Sequence, residues 1–410
     1  MRSHSSIAAT ALMLLGVRAA VSSESDEAAL TDMTSECTPY SYAPVAAAES
    51  QFPPIWTPVS AMVSKSDAGY AKFISINASI PNIAPKGVLG VPDQTIVSGY
   101  NPADPDCWWT VTQCVTPKVS GVKGDIAAAP EPRTLGYGFD DGPNCSHNAF
   151  YDYLTEKNQK ATMFYIGSNV LDWPLQAQRA VADGHEICVH TWSHRSMTAF
   201  TNEQAFGELW YAMQAIKLVT GVTPTCWRPP LGDVDDRIRY IAQQLGLQNI
   251  LWKYNSNDWA VNTTGITEAT VQGNYDALIA AVGAGTFDTT GAIMLTHELN
   301  NYTMQTALDN YPKLAAAFDH IVPVGVSLNK TQPYVETNYT LPSFDAYNAA
   351  RASGGSSSAS SGSPAASGGS GSKSGSAAGN QATGGTSAGF VLQVSTLTLG
   401  LVVLGAALAL

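Results

Sequence analysis

Charge is scarce in this 410-residue sequence: Asp, Glu, Lys and Arg make up 13% of it, and acids outnumber bases 33 to 21 for a net charge of −12. A polyanionic partner needs a basic face, so this balance argues against nucleic acid. No CxxC pair occurs among the six cysteines, Cys37, Cys107, Cys114, Cys145, Cys188 and Cys226. An even count without that motif argues for disulfides rather than a thiolate-held metal, and only Cys107 with Cys114 is close enough in sequence to suggest a bridge. Self-similar repeats are absent. Histidine is rare, with seven in the chain, so two in one short segment carry weight.

What is present at the ends is unlike the middle. Arg2 precedes an apolar run from Ile7 to Val17, followed by the small residues Ala19, Ala20 and Ser22. This is the layout of a secretory signal peptide, here residues 1–19. Residues 353–389 form a Ser/Gly-rich tract with almost no charge and no large side chains, which reads as a flexible stalk. Residues 390–410 carry no charge at all and no Lys or Arg follows them. With small residues from Ser376 to Asn380 about ten positions upstream, this tail reads as a glycosylphosphatidylinositol (GPI) attachment signal with Asn380 as the acceptor. A single transmembrane tail is the alternative. The expected location is therefore secreted, held on the extracellular face of the cell membrane and in the cell wall. Asn-x-Ser/Thr sequons at Asn77, Asn144, Asn262, Asn301, Asn329 and Asn338 fit the same compartment.

Residues 20–133 are rich in Pro and Ala with few periodic apolar runs, and read as an irregular extension held by Cys37, Cys107 and Cys114. Trp108 and Trp109 within it suit buried packing better than sugar stacking. From 134 to 327 short apolar runs alternate with helical patterns, and residues 328–352 follow as a C-terminal segment. Strands are expected at 135–139, 161–166, 185–189, 225–227, 249–254, 293–295 and 320–326. Helices are expected at 172–183, 202–220 and 235–245, each with Gly directly beyond it, the second opened by a capping box in Thr201 and Gln204. This pattern implies an α/β fold, a distorted (β/α) barrel of about seven parallel strands, with a doubly wound sheet as the alternative. Either fold collects its site at the C-terminal ends of the strands.

Five polar clusters follow predicted strands. Phe139-Asp140-Asp141-Gly142-Pro143 places two carboxylates side by side; on an extended strand they point to opposite sides and do different work. His190-Thr191-Trp192-Ser193-His194 spaces two imidazoles at i and i+4, which meet if the chain enters a helical turn. One carboxylate and two neutral imidazoles leave an open position on a catalytic zinc. Arg228-Pro229-Pro230-Leu231 sits on a backbone stiffened by proline. Asn257-Asp258-Trp259 and Leu295-Thr296-His297 complete the set. Taken singly, each cluster has an ordinary structural reading as a turn, a cap or a satisfied core histidine.

In order and content the five resemble the motifs of the NodB-homology polysaccharide deacetylases, carbohydrate esterase family four. With its tail the whole chain is similar to fungal chitin deacetylases. The resemblance implies that Asp140 is the general base and that Asp141, His190 and His194 hold one divalent ion, zinc or alternatively cobalt. It implies that Arg228 orients Asp140, that Asp258 tunes His297, and that His297 is the general acid. Trp259 and Leu295 would line the acetyl pocket, and the Leu231 N–H would complete an oxyanion hole. The implied reaction is hydrolysis of N-acetyl groups on chitin or chito-oligosaccharides, and the implied partner is chitin or partly deacetylated chitosan. The sequence points to no protein partner. Gly138, Leu231 and Asn255 depart from the family pattern without removing a proposed ligand, acid or base. Two other readings compete: a chitin-binding wall protein of little activity, and a glycosidase pairing Asp140 with Glu298.

Overall fold

The computed structural model describes residues 21–353 except 264, together with the backbone of Ser360–Ser361. The signal peptide, Asn380, the apolar tail 390–410 and nearly all of the Ser/Gly tract lie outside these residues. Among the described residues no helix is long and apolar enough to cross a membrane.

The chain's regular core runs through β1 (Thr134–Gly142), α1 (Asn148–Glu156), β2 (Thr162–Tyr165), α2 (Gly167–Asp172), α3 (Pro174–Ala182) and β3 (Glu186–Val189). It continues through α4 (Asn202–Thr220), β4 (Cys226–Trp227), α5 (Asp236–Gln244), β5 (Gln248–Asn249), β6 (Tyr254–Asn255), α6 (Glu268–Gly283), β7 (Ala292–Leu295), α7 (Asn301–Ala317) and β8 (His320–Pro323). All these strands are parallel and lie in one sheet of eight, in the order β5-β4-β3-β2-β1-β7-β6, with β8 added beside β1. The two strands at the ends of that order, β5 and β6, are successive pieces of one stretch of chain, so the sheet curls round on itself. Counting them as one position gives the seven expected from the sequence. β1, β2, β3 and β7 are buried along their whole length, as strands of a parallel sheet covered on both faces are.

Local chemistry sets the helix ends. Thr201 accepts from the Gln204 N–H while the Gln204 side chain returns to the Thr201 N–H, the box that starts α4. Gly221 (φ 79°) and Gly246 (φ 80°) take the left-handed conformation just beyond α4 and α5, where a side chain would be strained. Asp235 caps α5 through the Ile238 N–H.

Four expectations need correction. The strand placed at 249–254 is two short pieces, because the chain there leaves β4 to join β7. The helix placed at 172–183 starts two residues later, at Pro174, which has no N–H to continue the separate α2 and instead opens α3. The strand placed at 320–326 ends at Pro323, and Val324–Ser327 turn helical. The extension is less irregular than expected, with short helices such as Ala43–Ala48 and Ala68–Asn77 laid against α4. Trp108 and Trp109 are buried, Trp108 donating from Nε1 to Asp233 at 2.8 Å, which is the packing role expected of them.

Three disulfides form: Cys107–Cys114, as expected, Cys37–Cys145 and Cys188–Cys226. Cys37–Cys145 pins the extension to the loop after β1, and Cys188–Cys226 joins β3 to β4. Asn77, Asn262, Asn301, Asn329 and Asn338 are exposed, whereas Asn144 is half-buried with its side-chain N–H donating to the Leu299 carbonyl at 2.7 Å. Cys37 and Cys145 are 108 residues apart, so their bridge closes a long loop in the unfolded chain. Replacing both by Ser is expected to lower stability by about 2–5 kcal/mol in urea unfolding; an unchanged midpoint would show the extension to be held by packing alone.

Candidate active site

The predicted base, acid and ligand residues lie at or just beyond the C-terminal ends of strands. Asp140 and Asp141 end β1, His190 follows β3, Arg228 follows β4, Asp258 follows β6 and His297 follows β7.

The two aspartates do not alternate as an extended strand requires. Asp140 pairs with Phe164 and Gly142 with Tyr165 on β2, so Asp141 is an extra residue in β1, with φ of 72°. Such a bulge breaks the alternation of sides. Both carboxylates consequently reach one imidazole: His190 Nε2 lies 3.4 Å from Asp141 Oδ1 and 3.7 Å from Asp140 Oδ2. The expectation of opposite sides is corrected, while that of different surroundings holds. Asp140 Oδ1 takes a 2.6 Å hydrogen bond from Arg228 Nη1, and Asp141 Oδ1 is buried with no hydrogen-bond donor among the described residues. His190 and His194 do meet, with ring centroids 5.1 Å apart, but no helical turn brings them together. Thr191 (φ 64°) and His194 (φ 53°) both adopt the left-handed conformation, folding the segment into a tight non-helical loop.

Asp141, His190 and His194 present ligand atoms within 4.8 Å of one another. The His190 Nδ1 donates to the Arg228 carbonyl at 2.8 Å, which can only accept, so Nδ1 carries a proton and Nε2 is the nitrogen that faces Asp141. Asp141 Oδ1 stands 3.4 Å from His190 Nε2 and 3.1 Å from His194 Nε2. Ligands at about 2.0–2.1 Å from a tetrahedral zinc are roughly 3.3 Å apart, so the donor set and its spacing fit such an ion. Burial works against a charge on Asp141, but His194 and His190 alongside hold its carboxyl well below the usual carboxylate range.

Arg228 is fully buried, its guanidinium 3.9 Å from the centre of the Phe164 ring and its Nε donating to the Ile250 carbonyl at 3.3 Å. These contacts leave it one orientation in which to hold Asp140. His297 is placed opposite: Asp140 N donates to the Thr296 carbonyl and Glu298 N to the Asp140 carbonyl, so Asp140 and His297 are in register and their side chains share a face. His297 Nδ1 contacts Asp258 Oδ1 at 2.6 Å, and its N–H donates to Asp258 Oδ2 at 3.0 Å. Burial alone would lower the His297 pKa, yet the carboxylates of Asp258, Asp141 and Asp140 raise it to about 9. Leu295 is buried and Trp259 half-buried on the same rim. Leu231 is exposed, with φ of 58° in the turn after Pro230, and its N–H has no partner among the described hydrogen bonds.

The family model for polysaccharide deacetylases matches residues 127–250, a stretch holding Asp140, Asp141, His190, His194 and Arg228. A chitin deacetylase 2 of Cryptococcus neoformans var. grubii is 53% identical over 334 residues, covering 80% of this chain and 73% of that protein. The chain belongs to the polysaccharide deacetylase family. A chitin deacetylase of Amylomyces rouxii is 48% identical over 293 residues, covering 70% of this chain and 68% of its own length. Among solved structures, the chitin deacetylase of Colletotrichum lindemuthianum is 20% identical, with a TM-score of 0.46 over 50% of this chain and 90% of that one.

One group in this deacetylase site was not legible as such. Glu298, weighed from the sequence only as a glycosidase partner for Asp140, is fully buried. It accepts from the Asn144 N–H at 3.0 Å, from Tyr151 Oη at 3.0 Å and from His147 Nδ1 at 2.7 Å. It therefore staples the loop after β1 to the loop after β7 and is closed to substrate. Its adjacency to His297 was the only signal in the sequence. The Asp258 contact makes a direct prediction. In chelator-treated protein the His297 imidazole should titrate near pH 9 by NMR, protonated below and neutral above. Asp258→Asn should lower that midpoint, because the largest of the carboxylate contributions opposing burial is then lost while Asp141 and Asp140 remain; an unmoved midpoint would contradict the assignment.

Proposed function

We propose that this deacetylase is a metal-dependent hydrolase that removes N-acetyl groups from N-acetylglucosamine polymers such as chitin, releasing acetate and leaving chitosan. The observation that carries the reading is the meeting on one rim of three different devices. They are a carboxylate grouped with two imidazoles at the spacing a cation needs, a carboxylate held by a buried arginine, and an imidazole held protonated by a buried carboxylate. The names of the two fungal relatives support chitin as the substrate.

Amide hydrolysis needs a nucleophile stronger than neutral water, a place for negative charge on the carbonyl oxygen, and a proton for the leaving nitrogen. Asp141, His190 and His194 would hold the ion, zinc or alternatively cobalt, which when bound supplies Lewis acidity to the acetyl carbonyl and a lowered pKa to water. With Oδ1 committed to Arg228, Asp140 has Oδ2 free to take a proton from the attacking water. The unpartnered Leu231 N–H suits the developing oxyanion. His297 is oriented through Nδ1 by Asp258 and donates its Nε2 proton to the sugar nitrogen as the C–N bond breaks. Trp259 and Leu295 flank the place where the acetyl methyl would lie. The products are acetate and a free amine on an unshortened chain.

Three disulfides and the leader at 1–19 support export from the cell, and the Ser/Gly tract with the tail 390–410 supports a lipid anchor at Asn380 and a place in the cell wall. The test of the reaction is mass spectrometry of products from defined N-acetylglucosamine oligomers. The expected result is loss of acetyl groups at constant chain length, abolished by a chelator and restored by zinc. Shortened chains, or acetyl loss indifferent to the chelator, would overturn the reading.

A further inference from the structure

The loop His190–His194 carries two of the three proposed ligands, yet two of its residues hold left-handed backbone conformations that non-glycine residues disfavour. Such a conformation persists only where the surroundings over-determine it. One of the groups that does so here is a buried carboxylate. Glu208 of α4 has no solvent exposure. Its Oε2 accepts from the Trp192 N–H at 3.1 Å and from the Ser193 N–H at 2.9 Å, and its Oε1 accepts from Ser193 Oγ at 2.8 Å. The remaining bond comes from far away in sequence, the Val59 N–H donating to Oε1 at 2.9 Å. Three of these four partners are backbone N–H groups, which cannot accept, so both oxygens of the side chain are used as acceptors even though burial raises its pKa.

The extension holds the same loop by a second route. Phe52 stacks on the Trp192 ring, with centroids 5.8 Å apart and planes at 10°, and the Trp192 Nε1 donates to the Pro54 carbonyl at 3.4 Å. Ser168 Oγ donates to the Trp192 carbonyl at 2.6 Å while accepting from the Trp56 N–H at 2.9 Å. Residues 52–59 thus run as a strap across the outer side of the loop, fastened at Trp192 and at Glu208.

We infer that Glu208 is a positioning residue of the metal site, and that through it and Trp192 the strap 52–59 of the N-terminal extension sets the affinity of the site for its ion. The extension is therefore part of the deacetylase site rather than an appendage to it. This rests on the reading of Asp141, His190 and His194 as metal ligands.

The experiment is a competition between the full-length protein and a chromophoric chelator for zinc, with acetate release followed in parallel. Glu208→Gln puts an N–H₂ among four donors and is expected to weaken zinc binding by about 10- to 100-fold, the usual effect of losing an outer partner of a ligand. Its acetate release should recover as zinc is raised, at unchanged KM. Phe52→Ala, which leaves the carboxylate untouched, is expected to weaken zinc in the same direction and decides the matter if the Gln variant does not fold. Ile74→Ala, an exposed position of the extension away from the strap, should bind zinc as the parent does. Wild-type zinc affinity in both Glu208→Gln and Phe52→Ala, with only their melting temperatures lowered, would overturn the inference. Absence of zinc binding by the parent protein would overturn the metal reading itself, and this inference with it.

Discussion

Strand β1 contains one residue more than β2 can pair, and that residue is Asp141. A regular strand would have turned one of the two aspartates away from the rim. The bulge instead delivers both to the same few ångströms, where their neighbours separate them. Asp140 meets a guanidinium and Asp141 meets two imidazoles. The rest of the site is arranged around that separation. The Arg228 carbonyl orients His190 while its side chain orients Asp140, so one residue links the proposed ligand set to the proposed base.

The buried charges are not arranged for stability. Arg228 and Asp140 are both nearly inaccessible, and a buried ion pair typically recovers little more than its own desolvation cost. What it provides is a fixed direction. The same holds for Asp258, whose two oxygens grip both the ring and the backbone of His297, and for Glu298, which ties together the loops that follow β1 and β7. In each case a group near the chemistry is held by a second group that substrate cannot reach, so that little rearrangement is left for the reaction itself.

The strand-end clusters, the order of strands and helices, and the capping box of α4 were legible because each is written within a few consecutive residues. The features that escaped are those whose cause lies elsewhere in the chain. Nothing local in Phe139-Asp140-Asp141-Gly142 reveals that β2 will pair around Asp141. The i, i+4 spacing of His190 and His194 suggested a helical turn, but Glu208 and residues 52–59 impose a different loop on those same positions. Cys37–Cys145 joins residues 108 apart, and no spacing rule reaches that far. The plain-looking extension likewise gave no sign that Phe52 stacks on the His190–His194 loop or that Val59 binds the Glu208 that holds it.

The central claim is that adjacent aspartates divide the work, one as base and one as ligand, because a bulge brings them together and Arg228 sets them apart. Zinc content and acetate release measured side by side for Asp140→Asn and Asp141→Asn test it most directly. The account predicts that Asp140→Asn keeps about one zinc per chain and releases no acetate, whereas Asp141→Asn loses the zinc. Equal loss of zinc in the two variants, or full activity in Asp140→Asn, would contradict it.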